Sequence, residues 1–106
     1  LDVDGSPVTH ERYGPVPLPD LLERYRAMVL GRRLDDQANA LVRQGRLAVY
    51  PSSHGQEACQ VAAALALRPG DWLFPTYRDS VAVATRGVDP VEVLAWLRGD
   101  WHCVFD

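Results

Sequence analysis

The sequence predicts a mostly helical chain that forms part of an α/β architecture, with one or two short strands. Three observations carry this. Residues 18–44 are helix-favouring and run up to Gly45. Residues 58–67 are almost wholly apolar and rich in alanine. The short runs 46–50 and 72–74 have strand character, and Pro51 and Pro75 cut them off.

The first element, residues 1–17, holds Pro7, Pro15 and Pro17 with Gly5 and Gly14. Proline fixes its own backbone and biases the residue before it away from helix, so an extended proline-rich N-terminal arm is expected. A helix follows over 18–44, because Pro19 suits a first turn, Asp20 and Glu23 complement the positive helix end, and Gly45 supplies a stop. Its length would be about 40 Å. The apolar stripe changes direction along it. Leu21, Leu22, Tyr25, Met28 and Val29 share one side, whereas Leu34, Ala38, Leu41 and Val42 lie roughly 150° around. The switch falls at Gly31-Arg32-Arg33, so either the helix kinks at Gly31 or its two halves face different neighbours. The second is preferred, since a lone glycine is more often tolerated than bent.

After the 46–50 run, Pro51-Ser52-Ser53-His54-Gly55 reads as a loop and 56–67 as a second helix, buried on all sides because it is apolar all round. The rest of the chain has little to surround it with, which points to further chain or further subunits. Arg68-Pro69-Gly70-Asp71 is a turn, and a third helix is expected over 79–85, ending at Gly87. Asp89-Pro90-Val91-Glu92 has the capping-box arrangement and starts a fourth helix reaching about Arg98. The tail, 100–106, is aromatic without period and reads as loop.

Composition narrows the function classes. The chain has 106 residues, enough for one domain or part of a larger one, with 47% hydrophobic and 24% charged residues. A net charge of −3 argues against a general nucleic-acid binder, which carries a basic excess. No apolar run approaches the roughly 18 residues of a membrane span, and no signal peptide opens the chain, so no membrane role and a cytoplasmic location are expected. Cys59 and Cys103 are far apart and read as reduced, inert thiols. His102 and Cys103 are neighbours whose side chains diverge, and two ligands do not make a zinc site, so no metal ligand is assigned.

Thr76-Tyr77-Arg78-Asp79 is the most informative segment. It follows a strand candidate and precedes a helix, the position at which α/β proteins bind ligands. A guanidinium can grip a phosphate with two parallel hydrogen bonds, and a phenol adds a donor. On spacing alone, an Arg78–Asp79 or Arg78–Glu pair at a helix start with Tyr77 in the core is the preferred reading. His54 is a candidate acid–base group by its ordinary pKa, or simply a solvated loop residue. Glu57 in a first turn is accounted for by the helix dipole.

Arg43-Gln44-Gly45-Arg46, Tyr50, Gly55-Gln56-Glu57-Ala58, Asp71-Trp72, Pro75-x-Tyr77-Arg78-Asp79 and Arg86-Gly87 follow one another in order. Together, over residues 18–99, they resemble the alpha subunit of the decarboxylating component of branched-chain 2-oxo acid and pyruvate dehydrogenase complexes. The resemblance implies a three-layer, thiamine-diphosphate-binding α/β fold. Of that fold, 18–106 would be the N-terminal part of the domain and 1–17 the arm.

It further implies an α2β2 heterotetramer with a beta subunit, decarboxylation of a small-molecule 2-oxo acid, and transfer of the acyl group to the lipoyl arm of an acyltransferase. By the same resemblance Tyr77 and Arg78 contact the diphosphate, and Tyr50, with Val49, lines the acyl pocket. The Gly-Asp-Gly signature and its later asparagine, which hold Mg²⁺ in the family, are absent from the sequence. The metal ligands are therefore expected outside this chain, past Asp106, and the chain is expected to be a truncated subunit, a split gene product or a shortened form. The rival expectation is a non-catalytic helical interaction module of the same ancestry.

Overall fold

The computed structural model describes residues 2–98. Four helices follow in order: α1, Leu18–Arg43; α2, Glu57–Ala66; α3, Ser80–Thr85; and α4, Pro90–Leu97. Each agrees with its sequence expectation to within a residue or so. The arm, 2–17, is exposed throughout and makes only a turn at 2–6 and an isolated bridge between His10 and Tyr13. The tail, with His102 and Cys103, lies outside the described residues.

The helix ends follow local chemistry. Gly45, in the left-handed region at φ 68°, donates to Val42 O at 2.9 Å, and Arg46 N donates to Leu41 O at 2.9 Å. That crossed pair closes α1 and is open to a glycine at little cost. The same motif closes α3, with Gly87 N on Ala84 O and Val88 N on Val83 O. At α4 the Asp89 carboxylate accepts from Val91 N at 2.7 Å, and Pro90 occupies the first turn.

Neither expected strand forms: among the described residues 46–50 and 72–74 join no sheet. A strand is stable only when its backbone groups pair with a neighbour. Each of these runs is single, and Trp72 and Phe74 stand 82% and 83% exposed, stacked on each other rather than in a core. The α/β character therefore rests on the resemblance and not on these residues.

The α2 expectation is corrected too. Only Glu57, Gln60, Val61 and Ala64 are buried, and the opposite face, including Cys59 and Ala62, is exposed because no element among the described residues reaches it.

Two small clusters make the core. Leu34, Val83 and Val93 gather Leu73, Val88 and Trp96, while Ala38, Leu47 and Tyr50 gather Leu41, Val42 and Leu97. Both involve the second half of α1. Its first half leaves Leu18, Leu21, Leu22, Tyr25, Val29 and Leu30 exposed. So α1 runs unbroken through Gly31, one stripe meets α2 and α3, and the other meets nothing among the described residues.

Gly31 sits where α1 crosses α3. A Cβ there would lie 2.6 Å from Val81 Cγ1 and 3.0 Å from Cγ2. Valine is stiff at χ1 and cannot swing aside. Gly31→Ala is expected to destabilise the native protein by about 1–3 kcal/mol, the usual cost of overpacking. In denaturant unfolding, Val81→Ala should recover part of that loss, and strictly additive effects would show that the contact does not set the crossing.

Candidate functional site

The site grows from a carboxylate inside a helix. Asp35 lies on the inward seam of α1 with Gly31 and Ala38 and is 1% exposed. Its oxygens accept from Ser53 N at 2.7 Å, from Ser52 Oγ at 2.9 Å and from Asn39 Nδ2 at 2.9 Å. A buried acceptor must be satisfied, and this one is satisfied by fixing the 52–53 loop against α1.

That loop in turn holds the segment before α3. Ser53 Oγ donates to the Arg78 carbonyl at 2.7 Å, and Arg78 Nη1 donates back to the Ser52 carbonyl at 2.8 Å. Tyr50, Ser53 and Ser80 share a hydroxyl cluster, with Tyr50 Oη 3.2 Å from Ser80 Oγ and Ser53 Oγ 3.3 Å from it. Burial pushes the Tyr50 phenol above its usual range, against the opposing hydrogen bond with Ser80. It therefore stays a neutral donor.

Tyr77 and Arg78 come together at the surface. Tyr77 is 72% exposed, and the Arg78 Cζ stands 5.5 Å from the Tyr77 ring centroid. The bond to Ser52 is the one side-chain hydrogen bond of Arg78 among the described residues, so the other guanidinium N–H groups of this half-buried side chain have no acceptor there. Asp79 does not pair with Arg78. It accepts from Thr76 N and Oγ1 at 2.7 and 2.8 Å, which shapes the turn presenting both side chains. An open cleft of about 270 Å³ begins beside Tyr77 and runs between Ser80, Val83, Val93 and Trp96.

The remaining expected residues are placed as follows. Tyr50 is buried, while Val49 beside it is exposed. His54 is exposed, with Nδ1 4.0 Å from Asp35 Oδ2, beyond hydrogen-bond reach. Asp35, Asp36 and His54 bring ligand atoms within 4.8 Å of one another, but Asp35 is already taken up by the loop and by Asn39. Glu57 does more than answer a helix dipole. It receives Arg32 Nε at 2.6 Å and ties α2 to α1. The Arg32 hydrogen bond holds the Glu57 carboxyl down at about 2.

Sequence reasoning missed Asp35, the two serines and Gln60. For Asp35 a signal existed: it falls on the same helical seam as Gly31, Ala38 and Val42, where a carboxylate is out of place unless bonded.

A family model described as the dehydrogenase E1 component matches residues 25–103. The 3-methyl-2-oxobutanoate dehydrogenase subunit alpha of Mycobacterium tuberculosis is 46% identical over 101 residues, covering 93% of this chain and 27% of that protein. The pyruvate dehydrogenase E1 component subunit alpha of Acholeplasma laidlawii is 38% identical over 86 residues, 81% of this chain and 25% of that protein. Its counterpart from Staphylococcus epidermidis is 35% identical over 99 residues, 93% of this chain and 27% of that protein. The chain thus spans about a quarter of the length of the curated relatives it matches. No solved structure matches it.

Removing the Asp35 carboxylate leaves the buried Ser53 N–H without its acceptor. Asp35→Ala should cost the native protein about 1–3 kcal/mol in denaturant unfolding, the penalty of one unsatisfied buried donor. A loss near zero would mean that the loop is held by something else. Glu57 gives a pH dependence. A carboxyl that is more acidic folded than unfolded binds fewer protons when folded. Its stabilisation is complete above pH 4.5 and disappears as the pH falls through about 2. Between pH 6 and pH 3 the wild type should lose more stability than Glu57→Gln, and parallel losses in the two would remove the ion pair from the account.

Proposed function

The chain belongs to the dehydrogenase E1 component family, and on that footing we propose that it is the N-terminal part of the alpha subunit of a thiamine-diphosphate-dependent 2-oxo acid dehydrogenase, with Tyr77 and Arg78 gripping the cofactor's diphosphate. The observation that carries the assignment is an Arg78 guanidinium held by one bond, with its other donors uncommitted among the described residues. One N–H is committed to Ser52 O, which fixes the guanidinium, and further donors lie beside an exposed phenol. A planar fork with a neighbouring hydroxyl suits the oxygens of a phosphate, and the backbone behind it is fixed by Ser53.

Thiamine diphosphate bound there supplies the electron sink for loss of carbon dioxide from the 2-oxo acid. The residues of this chain bind and orient. Arg78 offers two parallel hydrogen bonds and Tyr77 a third. Tyr50, a neutral phenol bonded to Ser80 and packed with Ala38 of α1, stays the candidate for the acyl pocket of the substrate. Mg²⁺ is assigned to ligands outside this chain, since Asp35, the buried member of the Asp35–Asp36–His54 group, is committed to the loop and Asn39. His54 stays a candidate acid–base group, exposed at the edge of the loop that Asp35 holds.

The substrate is a branched-chain 2-oxo acid or pyruvate, the two classes named among the relatives. The acyl group passes to the lipoyl arm of a partner acyltransferase. The uncovered stripe of α1 and the outer face of α2 fit a larger assembly, with the rest of the domain and a beta subunit in an α2β2 arrangement. An apolar surface of that extent is seldom left open on a monomer. Among the described residues no helix is long and apolar enough to cross a membrane.

In the native, assembled protein, Arg78→Ala should weaken binding of thiamine diphosphate with Mg²⁺ by about 1.5–3 kcal/mol, the scale of a charged hydrogen bond. Titration calorimetry reads it directly. An unchanged dissociation constant takes Arg78 out of the site.

A further inference from the structure

The Arg78 carbonyl is where three elements meet. Ser53 reaches it from the loop before α2, and Gln60 Nε2 reaches it from inside α2 at 3.1 Å. The oxygen of the same amide, Gln60 Oε1, accepts from Val81 N and Ala82 N at 3.1 Å each. Those two N–H groups belong to the first turn of α3, where no earlier turn of the helix can serve them. A helix usually meets this need with its own N-cap side chain, but Asp79 is turned back to Thr76. Gln60, buried in α2, supplies the cap from a different helix.

Capping alone needs only an acceptor. The donor half of the amide serves a carbonyl that Ser53 already satisfies, so its effect falls on geometry rather than on an orphaned group. An amide is the side-chain group that offers donor and acceptor on one rigid plane. With its oxygen on residues 81 and 82 and its nitrogen on residue 78, that plane spans the junction from which Tyr77 and Arg78 project.

We propose that Gln60 is a positioning residue: by holding the Arg78 carbonyl and the first turn of α3 together, it sets the direction in which Tyr77 and Arg78 present their donors to an anionic diphosphate. Gln60 itself touches neither cofactor nor substrate. The inference rests on the diphosphate reading of Tyr77 and Arg78 and adds the device that aims them.

The two halves of the amide can be separated. Gln60→Glu keeps an acceptor for Val81 and Ala82 and removes the donor to Arg78, whereas Gln60→Leu removes both. Ser53→Ala removes the other donor on the same carbonyl and leaves the Gln60 cap intact. The experiment titrates thiamine diphosphate with Mg²⁺ into each variant of the native, assembled protein, beside Arg78→Ala, and measures the thermal midpoint without cofactor.

Gln60→Glu is expected to raise the cofactor dissociation constant roughly three- to tenfold, the worth of one neutral hydrogen bond. Its cofactor-free midpoint should fall less than that of Gln60→Leu, which loses the cap on Val81 and Ala82 as well. Should Gln60→Glu fail to fold, the cofactor constant of Gln60→Leu is read in its place, and an unchanged constant there overturns the proposal. If Arg78→Ala weakens binding while Gln60→Glu and Ser53→Ala leave it unchanged, the positioning role is overturned and the diphosphate reading stands. If any weakening in Gln60→Glu only follows a fall in its midpoint, Gln60 is a structural cap and the proposal fails. If Arg78→Ala changes nothing, the diphosphate reading falls, and the proposal with it.

Discussion

The arrangement of this chain depends on one buried carboxylate. Asp35 stands inside α1, on the face that packs inward, where an unsatisfied acceptor would be costly. Its partners are the backbone N–H of Ser53, the hydroxyl of Ser52 and the amide of Asn39. The loop is thereby fastened to the long helix, and everything downstream is fastened to the loop. Ser53 and Ser52 hold both ends of Arg78, its carbonyl and its guanidinium. The segment that carries Tyr77 and Arg78 is thus referred back to α1 through two short links, with no sheet among the described residues behind it.

Packing reinforces this chain of bonds at one point. α3 is only six residues long and could not persist alone in water. It is held by the close approach of Val81 to Gly31 and by the side chain of Gln60 on its first turn. Arg86, just past its end, donates to the carbonyls of Leu67 and Arg68 where α2 finishes. The second half of α1, the whole of α3 and the inner face of α2 therefore form one unit. The first half of α1 extends from that unit with its apolar stripe uncovered.

The helices were legible because their signals are local. Pro19 and Gly45 bracket α1, Gly87 closes α3, and Asp89 with Pro90 opens α4, and each does in the structure what its chemistry dictates. The two-sided stripe of α1 was legible for the same reason. The strands were not, because a strand is a relation between two segments and the partner of 72–74 is not among the described residues. The candidate site was legible only in its outer part. Tyr77 and Arg78 stand out as a pair after a proline and through resemblance to a family. Asp35, Ser53 and Gln60 look like an ordinary helical acid, a loop serine and a helical amide until residues 18 to 25 positions apart are brought together. Gln60 in particular caps a helix to which it does not belong, and no capping rule written along the sequence looks there.

Those links also form a dependent series. The Asp35–Ser53 link spans 18 residues, Gln60–Val81 spans 21, and Ser53–Arg78 spans 25. Chain entropy charges these closures almost equally, since the cost of bringing two ends together grows only with the logarithm of the loop. What distinguishes them is dependence. The Arg78 carbonyl rests on a Ser53 that Asp35 holds, and the first turn of α3 rests on a Gln60 amide that shares that carbonyl. The presenting segment therefore depends on every link behind it. Tyr77, exposed, and Arg78, half-buried, stand at the end of that series, so an anion bound there would hold the whole series in its folded form.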